Sequence, residues 1–580
     1  MLKISAIRGS LLILLLVGPL LEALGQRASI PLNEEVYHLI DRFEVLSGRN
    51  SPTFHSAVKP YRRDQVVPFL QGLDQNQFSY VDDFNYAYLL NDSWEAVAED
   101  SLWGNSQKAI WNTFYKKKSD FLMVNEPRFD VHLNPVLYFA GGNERPGLVG
   151  ESGTTQRTLF QNTRGLEVRG QIGGKVGFYS FIGTTQAVFP GYVHDRTEQY
   201  RGLPGEGTIK NFKENGYDFF TSKGYFTFNL LPEINVRAGY DKIKIGEGER
   251  SMILSDHANN FLFTELNTQV WKLQYTNIWA KMMAFPAQFH DYVSDTKAYS
   301  KWFAFHRLGL NIGKKANIGV FETVVYGGLD SAGHAFPMPL DFLNPIIFLR
   351  GAELEVGSYD GKMQLGFDWK WNFWPGLQWY GQFVLDEFHL ELYKQRNGWW
   401  GQKYAGQTGF KYFNVVGLDN LDLQVETNFA RPYTYNHRTA WSGMTHFGQS
   451  LAHPLGSNFY ELLGVLRFQP IPRLSFSSKA QYALYGQDFI GEDGDETNFG
   501  SDPMKSYETR ERDTGNFIGQ GNTTRQIMLD VLASYQLKHN LFLDGRLWLR
   551  KLMPIMTESY TDMAFVVSMR WNIGYRRDFY

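Results

Sequence analysis

The sequence predicts an all-β fold, a large transmembrane antiparallel β-barrel of about 18 strands with a small helical domain ahead of it. Three observations lead there. Segments of about ten residues alternate apolar with polar or small side chains, as strands need when they face lipid on one side and a watery lumen on the other. Short turns alternate with long loops. The composition is rich in aromatics and glycine, with 45 Phe, 32 Tyr, 15 Trp and 56 Gly in 580 residues. Hydrophobic residues reach only 43%, too few for a bundle of membrane-spanning helices.

Residues 1–25 read as an export leader. Lys3 and Arg8 give a basic start, Leu11 to Val17 is an apolar run, and Ala23-Leu24-Gly25 places small residues where a signal peptidase reads, so Gln26 becomes the new N-terminus. An uncleaved anchor is the alternative, but the run holds Pro19 and Glu22 and is short of the roughly 20 residues a spanning helix needs. The absence of cysteine excludes a disulfide framework, a thiolate metal site and a lipidated N-terminal cysteine. A net charge of −3 offers no basic field for nucleic acid.

Residues 26–120 read as a helical domain on the periplasmic side. Asn33 can cap a helix whose apolar face is Val36, Leu39, Ile40 and Phe43, ended by Gly48. A second helix fits 64–73 and a third 80–94. From residue 121 to 580 the chain reads as barrel. The clearest hairpin is 165–183, turning at Gly173-Gly174. With 129–139 and the two arms of that hairpin, further strands at 226–230, 234–240, 261–266, 272–282, 302–312, 316–326, 363–371, 377–387, 404–412, 422–429, 460–468, 474–485, 524–535, 541–550 and 563–575 complete the set. Long loops fall near 187–224, 327–362, 430–459 and 486–523. On the last strand Phe565, Val567, Met569, Trp571, Ile573 and Tyr575 share a face, and Phe579-Tyr580 give the aromatic end that outer-membrane assembly reads.

Several motifs occur in a telling order: Gly246-Glu247-Gly248-Glu249-Arg250-Ser251-Met252-Ile253-Leu254-Ser255-Asp256, then Tyr275-Thr276-Asn277, His306-Arg307-Leu308, Glu322, Arg431-Pro432-Tyr433-Thr434-Tyr435 and His453-Pro454-Leu455-Gly456-Ser457-Asn458. Together they resemble the capsule-assembly Wzi-like family of outer-membrane proteins in Bacteroidota, and the last two also resemble its gliding-associated branch. The resemblance covers most of the mature chain. It implies a barrel with a periplasmic helical domain and a role in holding or assembling surface polysaccharide, without catalysis. The alternatives are an outer-membrane component of a gliding or protein-secretion apparatus and a porin-like channel.

Candidate contacts follow. Lys59-Pro60-Tyr61-Arg62-Arg63 resembles part of an S-layer-homology repeat, and Arg62 and Arg63 could bond anionic sugars; the plainer reading has them decorate a helix start. Trp399 and Trp400, between Gly398 and Gly401, could stack on sugar rings, whereas Trp369, Trp371, Trp374 and Trp379 suit an interfacial girdle. Arg431, Tyr433, Tyr435, His437, Arg438, Trp441 and His453 equip loop 430–459 either to bind glycan or to fold inward and fill the lumen. Glu492, Asp493, Asp495 and Glu496, with Asn498 and Asp502, form an acidic loop that misses the EF-hand spacing. His306 and Glu322 are expected to meet inside the lumen. Glu167, Arg169, Glu322, Asp368, Lys370, Glu426, Asp544 and Arg546 point inward, to pair across a plug or to line a channel. Ser251 and Ser300 lack the spacing of a triad, no Walker, Rossmann or HExxH pattern occurs, and no cofactor is implied. The expected partners are outer-membrane lipid and surface polysaccharide.

Overall fold

The computed structural model describes residues 26–32, 35–97, 103–107, 110–111, 113–126, 128–145, 156–200, 202–284, 299–331, 333–349, 361–490 and 496–576. The leader, Asn33, the acidic residues Glu492, Asp493 and Asp495, and Phe579-Tyr580 lie outside them.

Eighteen long strands form a closed antiparallel barrel. They are β1 (Phe129–Arg145), β2 (Arg157–Ile172), β3 (Val176–Val188), β4 (Gly216–Leu231), β5 (Ile234–Asp241), β6 (Phe261–Val270), β7 (Leu273–Ala284), β8 (Tyr299–Ile312), β9 (Ala316–Tyr326), β10 (Lys362–Trp374), β11 (Leu377–Glu387), β12 (Lys403–Tyr412), β13 (Leu421–Ala430), β14 (Phe459–Ile471), β15 (Leu474–Gln487), β16 (Asn522–Lys538), β17 (Leu541–Pro554) and β18 (Tyr560–Trp571). Each pairs with its chain neighbour, and β18 returns to β1 with Met569 opposite Phe139, so no long edge is left open. Every segment picked out by the period of two coincides with one of these strands, the last of them, 563–575, in its first nine residues. The predicted turn at Gly173 and Gly174 has both residues at positive φ, 64° and 67°, as a tight hairpin requires.

Alternation sorts the side chains. Phe226, Leu262, Ile527 and Phe565 point outward and are exposed, as residues of a lipid-facing band are. Trp271, Trp371 and Trp374 lie exposed near the short-turn end, where a girdle belongs. The inward set is polar and paired. Arg169 meets Asp120 at 2.8 Å and Glu95 at 3.0 Å, Arg307 meets Asp368 at 2.6 Å, Arg570 meets Asp544 at 2.7 Å and Arg546 meets Asp530 at 2.8 Å.

Two expectations need correction. His306 and Glu322 do meet, with His306 Nδ1 2.7 Å from Glu322 Oε1, but outside the lumen. They alternate with the inward Phe305, Arg307, Phe321 and Thr323 and so sit on the outer wall. The last strand ends at Trp571, not Tyr575. Asn572 adopts φ 55° and donates its side-chain amide to Pro135 O at 2.8 Å. The chain then turns inward, and Ile573 packs against Val136, Tyr179 and Tyr225.

The short-turn end is covered by α1 (Val36–Leu46), α2 (Arg63–Gln71) and α3 (Tyr80–Asp92). Ser79 and Asp82 form a capping box at the start of α3. The helices share an apolar cluster that includes Ile40, Phe43, Val67, Leu70 and Leu89. They sit on the turns themselves: Gly376 N donates to Val45 O at 3.0 Å and Asn50 N to Lys314 O at 2.6 Å, and Asn85 Nδ2 donates to Gln469 Oε1 at 2.8 Å. Ion pairs reach into the lumen, between Lys370 and Glu44 at 2.9 Å, Lys411 and Asp41 at 2.7 Å, and Arg42 and Asp422.

Candidate functional site

The long-loop end closes from within. Residues 242–260, between β5 and β6, and 431–458, between β13 and β14, fold into the barrel. Met252, Ile253, Leu254, Tyr435, Met444 and Leu451 form one buried cluster with inward wall residues such as Phe263, Phe303, Phe305 and Phe321. The resemblance motifs are the fastenings of this plug. Glu426 accepts from Glu249 N at 2.8 Å and Arg250 N at 3.1 Å. A Cβ on Gly248 would lie 2.5 Å from Glu426 Oε2, so glycine lets the loop reach that carboxylate. Arg250 Nη2 donates to Glu461 Oε1 at 3.0 Å, and His453 Nε2 lies 2.8 Å from Glu461 Oε2. Inside the lumen the two closures touch: Val58 pairs with Ile245 and Lys59 with Lys244 as a two-stranded sheet.

The opposite half of the lumen is less filled. Two cavities of about 200 Å³ each lie there. They share Leu32, Glu249, Asp256, Lys479 and Tyr575 as lining. The walls mix polar and apolar side chains, and Lys479 pairs with Glu249 at the boundary.

The predicted contact residues separate. Arg62 and Arg63 lie at the short-turn end and are engaged within the chain: Arg62 donates to Asp64 at 3.0 and 2.8 Å, and Arg63 to Asp92 at 2.6 Å. Tyr433 and Tyr435 are fully buried. Tyr433 donates to Asn498 O and Tyr435 to Met252 O, each at 2.8 Å; burial holds both hydroxyls well above the usual phenol range. Neither offers a ring face to a ligand in this conformation. Trp441 packs edge-on against Tyr299 at 5.0 Å, and Arg431 Nε donates to Gln402 O at 2.7 Å. His453 is fastened in the plug, His437 is largely buried, and the described part of the acidic loop is engaged too, with Glu496 on Lys505 at 2.8 Å.

Trp399 and Trp400 stand differently. They sit half-buried on the outer face, in the loop between β11 and β12. Gly398, at φ 66°, brings the loop against a second one: Asn516 N donates to Gly398 O at 2.9 Å and Trp400 N to Asp513 O at 2.9 Å. A Cβ on Gly398 would lie 2.7 Å from Asn516 N. Around Trp400 gather residues that sequence reasoning missed. Tyr507 is 4.7 Å away between ring centroids, the Arg510 guanidinium 4.4 Å over the ring, and Lys403 Nζ 5.1 Å from it. Glu387 pairs with Lys403 at 2.7 Å and Asp513 with Arg510 at 2.6 Å. Phe388 and Tyr393 are exposed on the same loop. Half-buried indoles with cations over Trp400 and carboxylates beside them bring aromatic and hydrogen-bonding groups together, the mixture that suits a sugar chain, whose rings are apolar on their faces and hydroxylated at their edges. Tyr507 and Arg510 come from a loop more than one hundred residues downstream, so no local signal joins them to Trp400.

No family model and no curated protein sequence matches the chain. Among solved structures it is similar to Wzi of Escherichia coli, an outer-membrane protein involved in group 1 capsule assembly and described as a carbohydrate-binding β-barrel. The TM-score is 0.56 at 14% identity, over 95% of this chain and 100% of that one. Porins align less well: OccK9 of Pseudomonas aeruginosa has a TM-score of 0.42 at 10% identity over 76% of this chain and 98% of its own, and a BenF-like porin of Pseudomonas fluorescens has 0.40 at 9% identity over 76% and 99%. What the similarity to Wzi supports is the fold, the closed barrel described above.

Proposed function

We propose that the protein resides in the bacterial outer membrane, with its leader removed and its helical region in the periplasm, and that it holds or helps assemble surface polysaccharide through its outer loops. The observation that carries this reading is the closure of the barrel by its own chain at both ends. A lumen plugged on one side and narrowed to two cavities of about 200 Å³ each on the other makes the outer face the surface for a large extracellular partner. On that face the Trp399–Trp400 platform supplies ring faces, and Lys403, Arg510, Glu387 and Asp513 supply hydrogen-bonding groups. The similarity to Wzi, described as carbohydrate-binding, agrees with it. Arg431, whose guanidinium also donates to Asn516 O at 3.4 Å, steadies the platform from below.

The test is retention of polysaccharide by cells. Replacing Trp399 and Trp400 together by Ala should release surface polysaccharide into the medium, while the barrel keeps its heat-modifiable migration in gels. Unchanged retention at normal protein levels would remove the platform from the reading. Unchanged retention in a strain lacking the whole protein would remove the function itself, and surface motility scored in that strain addresses the gliding alternative.

A further inference from the structure

Segment 333–349, in the connection between β9 and β10, lies against the outside of the barrel. Its anchors are outward side chains of the wall. Trp302 Nε1 donates to Phe336 O at 3.1 Å and Trp279 Nε1 to Phe342 O at 3.0 Å, and the Tyr275 hydroxyl donates to Pro345 O. Phe342 is buried against Ala304, Val324 and Tyr326, the outward neighbours of the luminal Phe303, Phe305 and Val325.

Under the far end of the segment lies a polar row. Asn277, His306 and Glu322 are register partners across β7, β8 and β9, with exposures of 3%, 0% and 1%. Glu322 is held on both oxygens. His306 Nδ1 meets Oε1, and Oε2 accepts from Phe348 N at 2.9 Å. Tyr275 and Trp279 flank the imidazole, 6.5 and 6.1 Å away between centroids. The row crosses the wall at the middle of β8, inside the band that a bilayer covers if the protein spans one. Ionisable groups at that depth need protein cover, and irregular backbone there is tolerated only against protein. The segment supplies the cover and turns Leu340, Ile346 and Phe348 outward, 87%, 56% and 49% exposed.

On the reading of the protein as membrane-spanning, we propose that segment 333–349 is a movable strap and that Glu322, oriented by His306, is the latch that closes it. The strap forms no strand pairing with the wall among the described residues. Its anchors are side-chain hydrogen bonds and the packing of Phe336 and Phe342 on the wall, none of them part of the barrel ladder, so it can lift while that ladder stays whole. Glu322 is an ionisable side chain of the wall that grips a strap N–H, whereas Trp279, Trp302 and Tyr275 grip strap carbonyls. Closed, the strap hides a row in which His306 Nε2 and Asn277 Oδ1 have no hydrogen-bond partner among the described residues. Lifted, it presents that row to the bilayer.

The chain has no cysteine, so single reporter thiols are clean. Ala304 is 2% exposed beneath Phe342, and Leu310, on the same outward face, is 38% exposed. With the full mature chain refolded into phosphatidylcholine vesicles, a membrane-permeant maleimide should label Ala304→Cys at least about tenfold more slowly than Leu310→Cys. Adding Glu322→Ala should bring the two rates within about threefold, with heat-modifiable migration unchanged. Glu322→Gln keeps an acceptor for Phe348 N without the charge, and should fall between; it decides the matter if Glu322→Ala does not assemble. Equal protection of the Ala304→Cys thiol with and without the Glu322 change overturns the latch. Labelling of Ala304→Cys as fast as Leu310→Cys in the otherwise unaltered chain overturns the closed strap. A rate that rises only for the reporter under the strap supports both.

Discussion

The two ends of the barrel are closed by opposite chemistry. At the short-turn end the apolar cluster of the helices draws on residues between Ile30 and Trp103, none of them from the barrel wall. The helices bury their apolar faces against one another and dock through hydrogen bonds, ion pairs and ring contacts such as His38 on Phe413 at 5.7 Å, while Val58, between α1 and α2, joins the plug's cluster. At the long-loop end the inserted loops have no core of their own: their apolar side chains join those of β6 to β9 and of β11 to β14 in one cluster. An element with a private core can leave its seat without exposing much apolar surface. An element whose core is shared cannot. On this difference we propose that the helical region is the more separable closure and that the loop plug folds with the barrel.

The comparison breaks most directly at Tyr435, which is fully buried where the two inserted loops meet and donates to Met252 O. Tyr435→Ala removes that ring from the shared cluster. Loss of a buried aromatic costs about 3–5 kcal/mol, so urea should unfold the vesicle-inserted variant at a clearly lower midpoint, with the long loops becoming sensitive to external protease. A variant that lost loop protection at an unchanged midpoint would show that the plug folds separately after all.

At the other end, Lys370 and Glu44 test what polar docking contributes. Both are buried, and Glu44 also accepts from Ser51 N at 2.8 Å. Lys370→Met strands the carboxylate and should weaken seating of α1 by about 3 kcal/mol, whereas Lys370→Met combined with Glu44→Leu should recover most of that, because the pair offsets its own desolvation more than it adds net attraction. Hydrogen exchange of α1 amides measures both. Exchange as fast in the double variant as in the single one would mean that the ion pair itself, not the stranded charge, decides the seating.

The strand ladder was legible because a lumen-and-lipid wall imposes one period along every strand, and the helices because a private core imposes the other. The plug was half legible. Loop 430–459 carries aromatics that suit either sugar or core, and burial is decided by where the loop folds, which its composition does not encode. Residues 242–260 announced themselves only as a motif; Gly248 and Arg250 owe their identity to Glu426 and Glu461 on distant strands. His306 and Glu322 were paired correctly and given the wrong face. Charged residues normally belong inward in a barrel, and only the covering segment 333–349 makes the outward choice tolerable. At the outer platform Trp399 and Trp400 were visible as a pair, while Tyr507 and Arg510 reach them through loop packing.

The smallest expected effect sharpens the comparison through pH. His446, in the plug, has its tautomer fixed: Nδ1 accepts from Met283 N and Nε2 donates to Asn260 O, each at 2.9 Å. Burial pushes its pKa down to about 3, and burial also lowers His257 and His453 in the same loops. Below its ordinary pKa of 6.5 the unfolded chain takes up a proton that the folded plug refuses. Stability contributed by the neutral ring is thus present above about 6.5 and is lost as pH falls toward 3. Between pH 7 and about 5.5 this amounts to about 1 kcal/mol for His446 alone. Asp502, raised to about 6 by burial, works in the opposite direction: its folded form binds the proton more readily, so acidification stabilises it. Wild-type behaviour sums these and the other shifted groups, and the informative quantity is a difference. His446→Gln retains one acceptor and one donor but does not titrate. The gap in unfolding free energy from urea titrations between wild type and variant should narrow by about 1 kcal/mol on going from pH 7 to 5.5, whereas parallel shifts would mean that His446 is already exchanging protons with water and that the plug is open there.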